Sequence, residues 1–384
     1  MANPVTILIL SHSATLTGAP LQLLSLLRKL KSTTDWQIVV LLRNGGQLER
    51  DFAAICPTYL ASNGTIASSV YFDQPLSSYS GLRQFFDAIR PNLVYSNTVT
   101  NGYWVRLCQR CKLPVVLHVH ETETAFKYYT RKYRRETLQS HHFICVSRHV
   151  QDYLINQYAV PLERSSIIHC GIDLEAVIQG AHEAPQIRQQ LGIADHAIII
   201  GGVGWMSLQK GVDLWLQMAR RVAEKASDLH PVFLWVGSNQ DNYAQEMARD
   251  AALMGLKDSV IFTGQVSNPY PYINLIDILV SSSRYESFGL AIAEAAALGK
   301  PVVYFEASGG PSEIVDSTMG IAVKALDAYE MGDCVRLLAA NKEVRRVLGE
   351  NGRRRIASDF RIEDKANQVK LVVETVLGEV LSTL

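Results

Sequence analysis

Residues 197–216 read AIIIGGVGWMSLQKGVDLWL. A short aliphatic run, 197–203, gives way to a loop containing Gly204, and past Lys210 and Gly211 to the apolar periodicity of an amphipathic helix near 211–226. This strand–loop–helix unit starts a series. VFLWV (232–236), a helical stretch near 243–254, VIFT (260–263), ILVSS (278–282), a helix after Ser287 and PVVYF (301–305) follow it. An earlier series lies upstream: VTILIL (5–10), a helix over 20–30, QIVVLL (37–42), LVYS (93–96), VVLH (115–118), FICV (143–146) and SIIH (166–169). Strands alternating with helices build parallel sheets with right-handed crossovers. The polar stretch QGAHEAPQIRQQLGIADH (179–196) separates the two series and reads as a linker. The expectation is an α/β chain of two doubly wound, Rossmann-like domains facing across a cleft, with ligands beyond the carboxyl ends of the strands.

Composition narrows the classes. With 384 residues, 48% hydrophobic and 19% charged, the chain is globular and long enough for two domains. No run approaches the 18 or so apolar residues that a bilayer span needs. VTILIL lacks a basic leader and a small-residue cleavage site, so no signal peptide is expected. Six cysteines show no framework spacing, and the lone CxxC, Cys108 and Cys111, has no second pair. Two ordinary thiols on a helix are the expected reading, ahead of a zinc or redox site, in a reducing cytosol. Net charge is zero but divided, +5 over residues 1–178 and −5 over 179–384, which weakly favours an anionic partner for the first half.

The motifs fall where ligands are expected. RYESFGLAIAEAAALGK (284–300) places Glu286 before a helix start and Glu294 within the helix, among aliphatic and alanine residues. Ser287 reads as the N-cap, Phe288 as the approximate first helical residue and Gly299 as the C′ residue. Free amides at the helix start suit an anion. Two readings fit the carboxylates: an elongated ligand with a sugar near Glu286, a diphosphate at Phe288–Leu290 and a ribose near Glu294, or one local cap and one partner for a buried cation. Lys210 reads either as a phosphate contact or as a solvated lysine. Gly18, in the loop SHSATLTGAP, permits close backbone approach, and the paired Gly309 and Gly310 of FEASGGPSEIV also read as an ordinary turn.

ESFGLAIAE resembles the E-x7-E signature of retaining GT-B glycosyltransferases of family 4. The likeness extends through the TGAP loop, HVHE (118–121), ICVS (144–147), IIHCGID (167–173), QKGVDL (209–214), GKPVV (299–303) and GGPSEIV. Polysaccharide and cell-envelope members are the most similar. The resemblance implies domains at 1–178, on the acceptor side, and 179–360, binding the nucleotide sugar, with a helix over 361–384 crossing back to the first. It implies that Glu286 holds the donor sugar, with His120 facing it at the reaction centre. Glu294 would hold the ribose hydroxyls, and the amides of Phe288, Gly289 and Leu290, with Lys210, the diphosphate. Gly18 would let the first loop close over the donor phosphates, and Gly264 and Gln265 would meet the base. No metal or other cofactor is expected, since no Asp-x-Asp motif is present. Many relatives have Gly-Arg where this chain has Gly204-Trp205, so one phosphate-binding cation is missing.

The implied activity is transfer of a sugar, with retention, from a nucleotide diphosphate sugar to a glycan or lipid-linked acceptor in polysaccharide or glycoconjugate biosynthesis. Two rivals remain open: a nucleotide-sugar epimerase of the same fold, and a non-catalytic nucleotide-sugar-binding activator. FKYYTRKYRRE (126–136) mixes five basic residues with three tyrosines. It suits either peripheral contact with an anionic membrane, or a lipid diphosphate acceptor, at the cytoplasmic face, or a solvated helix with cation–π contacts. No nucleic-acid recognition motif is present.

Overall fold

The computed structural model describes residues 4–61, 79–225, 229–237, 242–324 and 326–382. Contacts divide the chain into two compact units, residues 1–171 with 362–384, and residues 172–361. Unit 1 holds a parallel seven-stranded sheet: β1 (Thr6–Ser11), β2 (Gln37–Leu42), β3 (Thr58–Leu60), β4 (Leu93–Ser96), β5 (Val115–Val119), β6 (His142–Cys145) and β7 (Ser165–Ile167). Their spatial order is β3-β2-β1-β4-β5-β6-β7. Unit 2 holds a six-stranded sheet of β8 (Ile199–Val203), β9 (Val232–Val236), β10 (Val260–Phe262), β11 (Ile278–Ser281), β12 (Val302–Phe305) and β13 (Gly320–Val323). Its order, β10-β9-β8-β11-β12-β13, repeats the first. In both sheets the winding reverses beside the first strand, between β1 and β4 and between β8 and β11. At such a switch point the loops diverge and leave a crevice.

The sheets are buried on both faces, as helix-covered parallel sheets must be. Residues 7–10 of β1 and 233–236 of β9 are each at most 2% exposed. Two strands escape the sequence pattern, β3 and β13. Both are edge strands of three or four residues, too short to show a period. The polar stretch 179–196 is folded into unit 2 rather than being a linker. It carries the helix Ala184–Gln190, which packs on Tyr270–Leu275. The chain passes between units at Gly171–Ile172 and again at Arg361–Ile362.

The final helix, Ile362–Ser382, belongs to unit 1 and lies on the helix Gly18–Thr33. Ile362, Ala366, Val369, Val373 and Val376, spaced by three or four residues, join Leu23, Leu26, Leu27 and Leu30 in one core. Each buried Ile or Val contributes about 1.5–3 kcal/mol relative to exposure. An aspartate at Val369 would bury an unpaired carboxylate and break the contact. Among the described residues no helix is long and apolar enough to cross a membrane.

Candidate functional site

In unit 2 the loops leaving β8 and β11 flank the switch point and are joined by hydrogen bonds. The Arg284 amide donates to the Gln209 carbonyl at 2.8 Å, Ser282 Oγ to the Lys210 carbonyl at 3.0 Å, and Gln209 Nε2 to the Tyr285 carbonyl at 3.1 Å. Arg284 braces the same junction. Its Nη1 donates to the Leu208 carbonyl, and both terminal nitrogens reach the Asp213 carboxylate, at 2.8 and 2.7 Å. Burial favours the neutral acid at Asp213, but the hydrogen bonds and charge of Arg284 outweigh it and hold the carboxyl below its ordinary range.

Lys210 and Glu286, placed by sequence at a phosphate and at a sugar, meet each other here. Lys210 Nζ donates to Glu286 Oε2 at 2.5 Å, and Ser283 Oγ donates to the same oxygen at 3.3 Å. The side chains are 25% and 13% exposed, so the pair is partly desolvated yet open to a ligand on one side. An ammonium has three donors, and this contact uses one of Lys210's.

The backbone of Glu286 rests on the glycine pair. Its amide donates to the Ser308 carbonyl at 2.8 Å, and the Gly310 amide donates to its carbonyl at 2.9 Å. A Cβ on Gly310 would fall 2.3 Å from the Ser287 carbonyl oxygen and 2.6 Å from the Phe288 Cα. Gly310 is therefore required by close approach, which the turn reading did not capture.

The helix starts later than expected. It spans Leu290–Ala297, and its N-cap is Gly289, not Ser287. Phe288 is buried with its ring 5.9 Å from that of Phe360. The chain must then turn sharply, and Gly289 does so at φ 110°, a region closed to most side chains. No side chain caps the helix, so its first amides keep the polarity that favours an anion. Glu294, in the second turn, is partly buried, and Tyr270 Oη donates to it at 3.5 Å. Burial raises the Glu294 carboxyl to about 7 against the weaker opposing pull of Tyr270. Gly264 follows β10 at φ 74° and bridges to Gly237, while Gln265 is exposed. Trp205 is also exposed, so its indole is not part of the core.

The corresponding ends of the unit 1 strands carry a different chemistry. Gly18 opens the helix Gly18–Thr33 behind an N-cap, Thr17, whose side chain makes no capping bond. Its hydroxyl is instead the last of a chain, Ser13–Thr15–Thr17, with 3.0 Å between neighbours. His120 lies just past β5, its ring centroid 4.1 Å from that of His118, and its Nε2 is buried without a protein partner. Burial first, and His12 second, push the His120 pKa down to about 3. Burial, helped by Arg43, pushes His12 to about 4. Both rings are therefore neutral at physiological pH. Tyr95 Oη lies 2.5 Å from His118 Nδ1.

Sequence reasoning passed over three residues here. Glu121 accepts from the amides of His120 and Val99, at 3.0 and 3.2 Å, and burial raises its carboxyl to about 7. Asn97 donates to the Ala19 carbonyl at 3.0 Å, while its Oδ1 is buried and unpartnered. His12 Nδ1 is likewise unpartnered. The available signal was positional, because each follows directly, or nearly so, the carboxyl end of a strand legible in sequence.

The basic–aromatic stretch forms two short helices, Glu123–Thr130 and Arg134–Leu138. Tyr128, Tyr129, Arg131, Lys132 and Arg135 are exposed. Arg134 is structural. It donates to the Thr130 hydroxyl and the Lys127 carbonyl and lies 5.5 Å from the Tyr158 ring centroid.

Two family models match, "Glycosyltransferase Family 4" over residues 17–176 and "Glycosyl transferases group 1" over residues 183–355. A D-inositol 3-phosphate glycosyltransferase of Corynebacterium kroppenstedtii is 30% identical over 214 residues, which is 52% of this chain and 46% of the relative. The lipopolysaccharide core biosynthesis mannosyltransferase LpsB of Rhizobium meliloti is 25% identical over 217 residues, 56% of this chain and 61% of the relative. The chain thus spans about half the length of the curated relatives it matches. Among solved structures, Anabaena Alr3699/HepE in complex with UDP and glucose superposes with a TM-score of 0.80 at 20% identity, over 99% of this chain and 100% of that one. That likeness is one of fold, GT-B.

Proposed function

We propose an activity for a chain that belongs to the group 1, family 4 glycosyltransferases of GT-B fold: retaining transfer of a sugar from a nucleotide diphosphate sugar to a glycan or lipid-linked acceptor. The observation that carries the reading is the Lys210–Glu286 pair, held at 2.5 Å before an uncapped helix start. As the glycosidic bond breaks, negative charge grows on the leaving diphosphate. Lys210 and the amides of Phe288, Gly289 and Leu290 would stabilise that charge more than they stabilise the ground state. Glu286, bound to Lys210, would accept hydrogen bonds from the donor sugar, and Glu294 from the ribose diol. Gly264 and Gln265 are assigned to the base, Gly18 to the donor phosphates and His120, as a neutral imidazole, to the donor sugar.

The Lys210 cation and the helix dipole supply the charge neutralisation that a divalent metal supplies elsewhere, so activity should survive excess chelator. Loss of activity that manganese or magnesium restores would refute this. The exposed residues of 126–135 are assigned to an anionic membrane face on the cytoplasmic side, where a lipid-linked acceptor would be met. A thermal-shift series against nucleoside diphosphates and their sugars tests the donor reading. Stabilisation follows RT ln(1+[L]/Kd), about 2.7 kcal/mol at a hundredfold excess over Kd. UDP, bound in the Anabaena neighbour, is the first probe. No stabilisation by any nucleoside diphosphate would end the proposal.

A further inference from the structure

Arg43 stands at the switch point of unit 1 without the kind of partner that Arg284 has in unit 2. It directly follows β2, and its amide donates to the Ser11 carbonyl at 2.9 Å. Its Nη1 donates to the Thr100 carbonyl at 2.8 Å, in the turn Val99–Asn101 that follows β4. With the strands ordered β2-β1-β4, the side chain reaches across the carboxyl end of β1, where the winding reverses. Asn44 ties the same loops, since its amide and its Nδ2 both donate to the His12 carbonyl at 3.1 Å. Among the described residues no carboxylate pairs with Arg43, whereas Arg284 is committed to Asp213. The Arg43 side chain is exposed, and the Thr100 contact uses one of the five N–H donors of its guanidinium.

Three unpartnered polar atoms share this end of the sheet: His12 Nδ1, Asn97 Oδ1 and His120 Nε2. His12 is close enough to Arg43 and to His120 to interact electrostatically with each. Asn97 is 1% exposed and sits past β4, its amide donating to the Leu10 carbonyl at 2.9 Å. Buried polar atoms without protein partners mark a place that water or a ligand completes. We infer that Arg43 binds an oxyanion, phosphate or carboxylate, carried by the acceptor, and so selects an anionic acceptor over a neutral one. The inference rests on the glycosyl-transfer reading. A planar guanidinium fork matches either oxyanion with two parallel hydrogen bonds. The carboxylate past β5 does not cancel it, because Glu121 is spent on the amides of Val99 and His120. Burial lowers the Arg43 pKa and Tyr129 opposes it, so the exposed basic–aromatic stretch adjoins this guanidinium. The oxyanion can therefore come from a soluble sugar or from the headgroup of a lipid-linked acceptor.

The test compares neutral and anionic twins on the full chain saturated with UDP, which keeps the probes out of the proposed donor site. Glucose is titrated against glucose 6-phosphate, and galactose against galacturonate, by calorimetry. Co-sedimentation with phosphatidylcholine vesicles, with and without farnesyl diphosphate, supplies the lipid arm. At least one anionic member should bind about tenfold or more tightly than its neutral twin, the worth of a charged hydrogen bond. Arg43→Gln should remove that preference without changing affinity for the neutral sugars. Arg43→Lys should restore part of it, because lysine keeps the charge but not the fork. A preference among the sugars identifies a soluble oxyanion, and one confined to farnesyl diphosphate identifies a lipid headgroup. No preference for any anionic member, or a preference that Arg43→Gln leaves intact, would overturn the inference. So would a loss of UDP affinity in Arg43→Gln, which would assign the guanidinium to the donor instead. Absence of any thermal shift with UDP breaks the donor reading, while the sugar pairs, repeated without UDP, still report on Arg43.

Discussion

The two units share a winding order but equip their switch points in opposite ways. In unit 2 the charged groups are already paired, Lys210 with Glu286 and Arg284 with Asp213. In unit 1 four neutral groups, in β5 or past β1, β4 and β5, are orphaned: His12 Nδ1, Asn97 Oδ1, His118 Nε2 and His120 Nε2 have no protein partner. Pairing keeps a cation available without the full penalty of a lone buried charge, and it fixes that cation in position. Neutral imidazoles and an amide suit a ligand rich in hydroxyls, because each offers directional hydrogen bonds without drawing a counterion. One topology thus carries paired charges at one switch point and neutral hydrogen-bonding groups at the other.

The largest expected effect removes the cation. On the proposed reading, Lys210→Ala should lower kcat about a hundredfold or more, since the charge it would face grows in the transition state. Because Glu286 is its partner, Lys210→Ala and Glu286→Gln should be markedly non-additive in a double-mutant cycle. Near wild-type kcat for Lys210→Ala would place the phosphate elsewhere. Arg284 would be a poor substitute, because its terminal nitrogens are committed to Asp213.

Glu294→Ala should weaken nucleoside diphosphate binding about ten- to a hundredfold, the worth of one charged hydrogen bond to ribose, and calorimetry measures it. Glu286→Gln should spare that affinity. With the Glu294 carboxyl raised to about 7, nucleotide affinity should climb as pH rises through that value if Glu294 holds the ribose as proposed, because only the ionised form would accept from both hydroxyls. The stability sign is opposite. Between the ordinary glutamate pKa and about 7 the folded state holds the extra proton, so this group's contribution to stability falls as pH rises. Glu294→Gln should flatten both slopes. A pH profile of binding that Glu294→Gln leaves unchanged would remove Glu294 from the ribose.

A smaller effect concerns the surface of unit 1. If Arg131, Lys132 and Arg135 meet anionic lipid, each contributes about 1 kcal/mol, and reversing all three should abolish salt-sensitive co-sedimentation with anionic vesicles. Arg134 is left alone because it packs on Tyr158. Equal sedimentation with neutral vesicles would retire the membrane assignment. The smallest effect is that of Trp205→Arg on stability. With the indole exposed, the change should stay within about 0.5 kcal/mol, read from denaturant midpoints. A large loss would mean that the loop depends on the indole.

Legibility followed local signal. Strand runs such as VTILIL and VFLWV, and the helix-start loops after them, were readable because a strand buried on both faces is apolar along its whole length. The short edge strands β3 and β13 were not. Glu286, Glu294, Lys210 and His120 were legible as candidates from their places after strands or on the helix. Their partners were not, because a partner 76 residues away in sequence, as Lys210 is from Glu286, leaves no local trace.

The sequence by itself determined that there are two wound α/β units and which loops at the strand ends hold the candidate residues, since hydrophobic period and glycine placement are local properties of the chain. Only the tertiary structure decided that Lys210 is bound to Glu286, that Gly310 supports the Glu286–Phe288 backbone, that the helix begins at Leu290 and that Trp205 faces water. Each of these depends on which distant segments share the crevice at a strand's end, and packing, not local propensity, selects them.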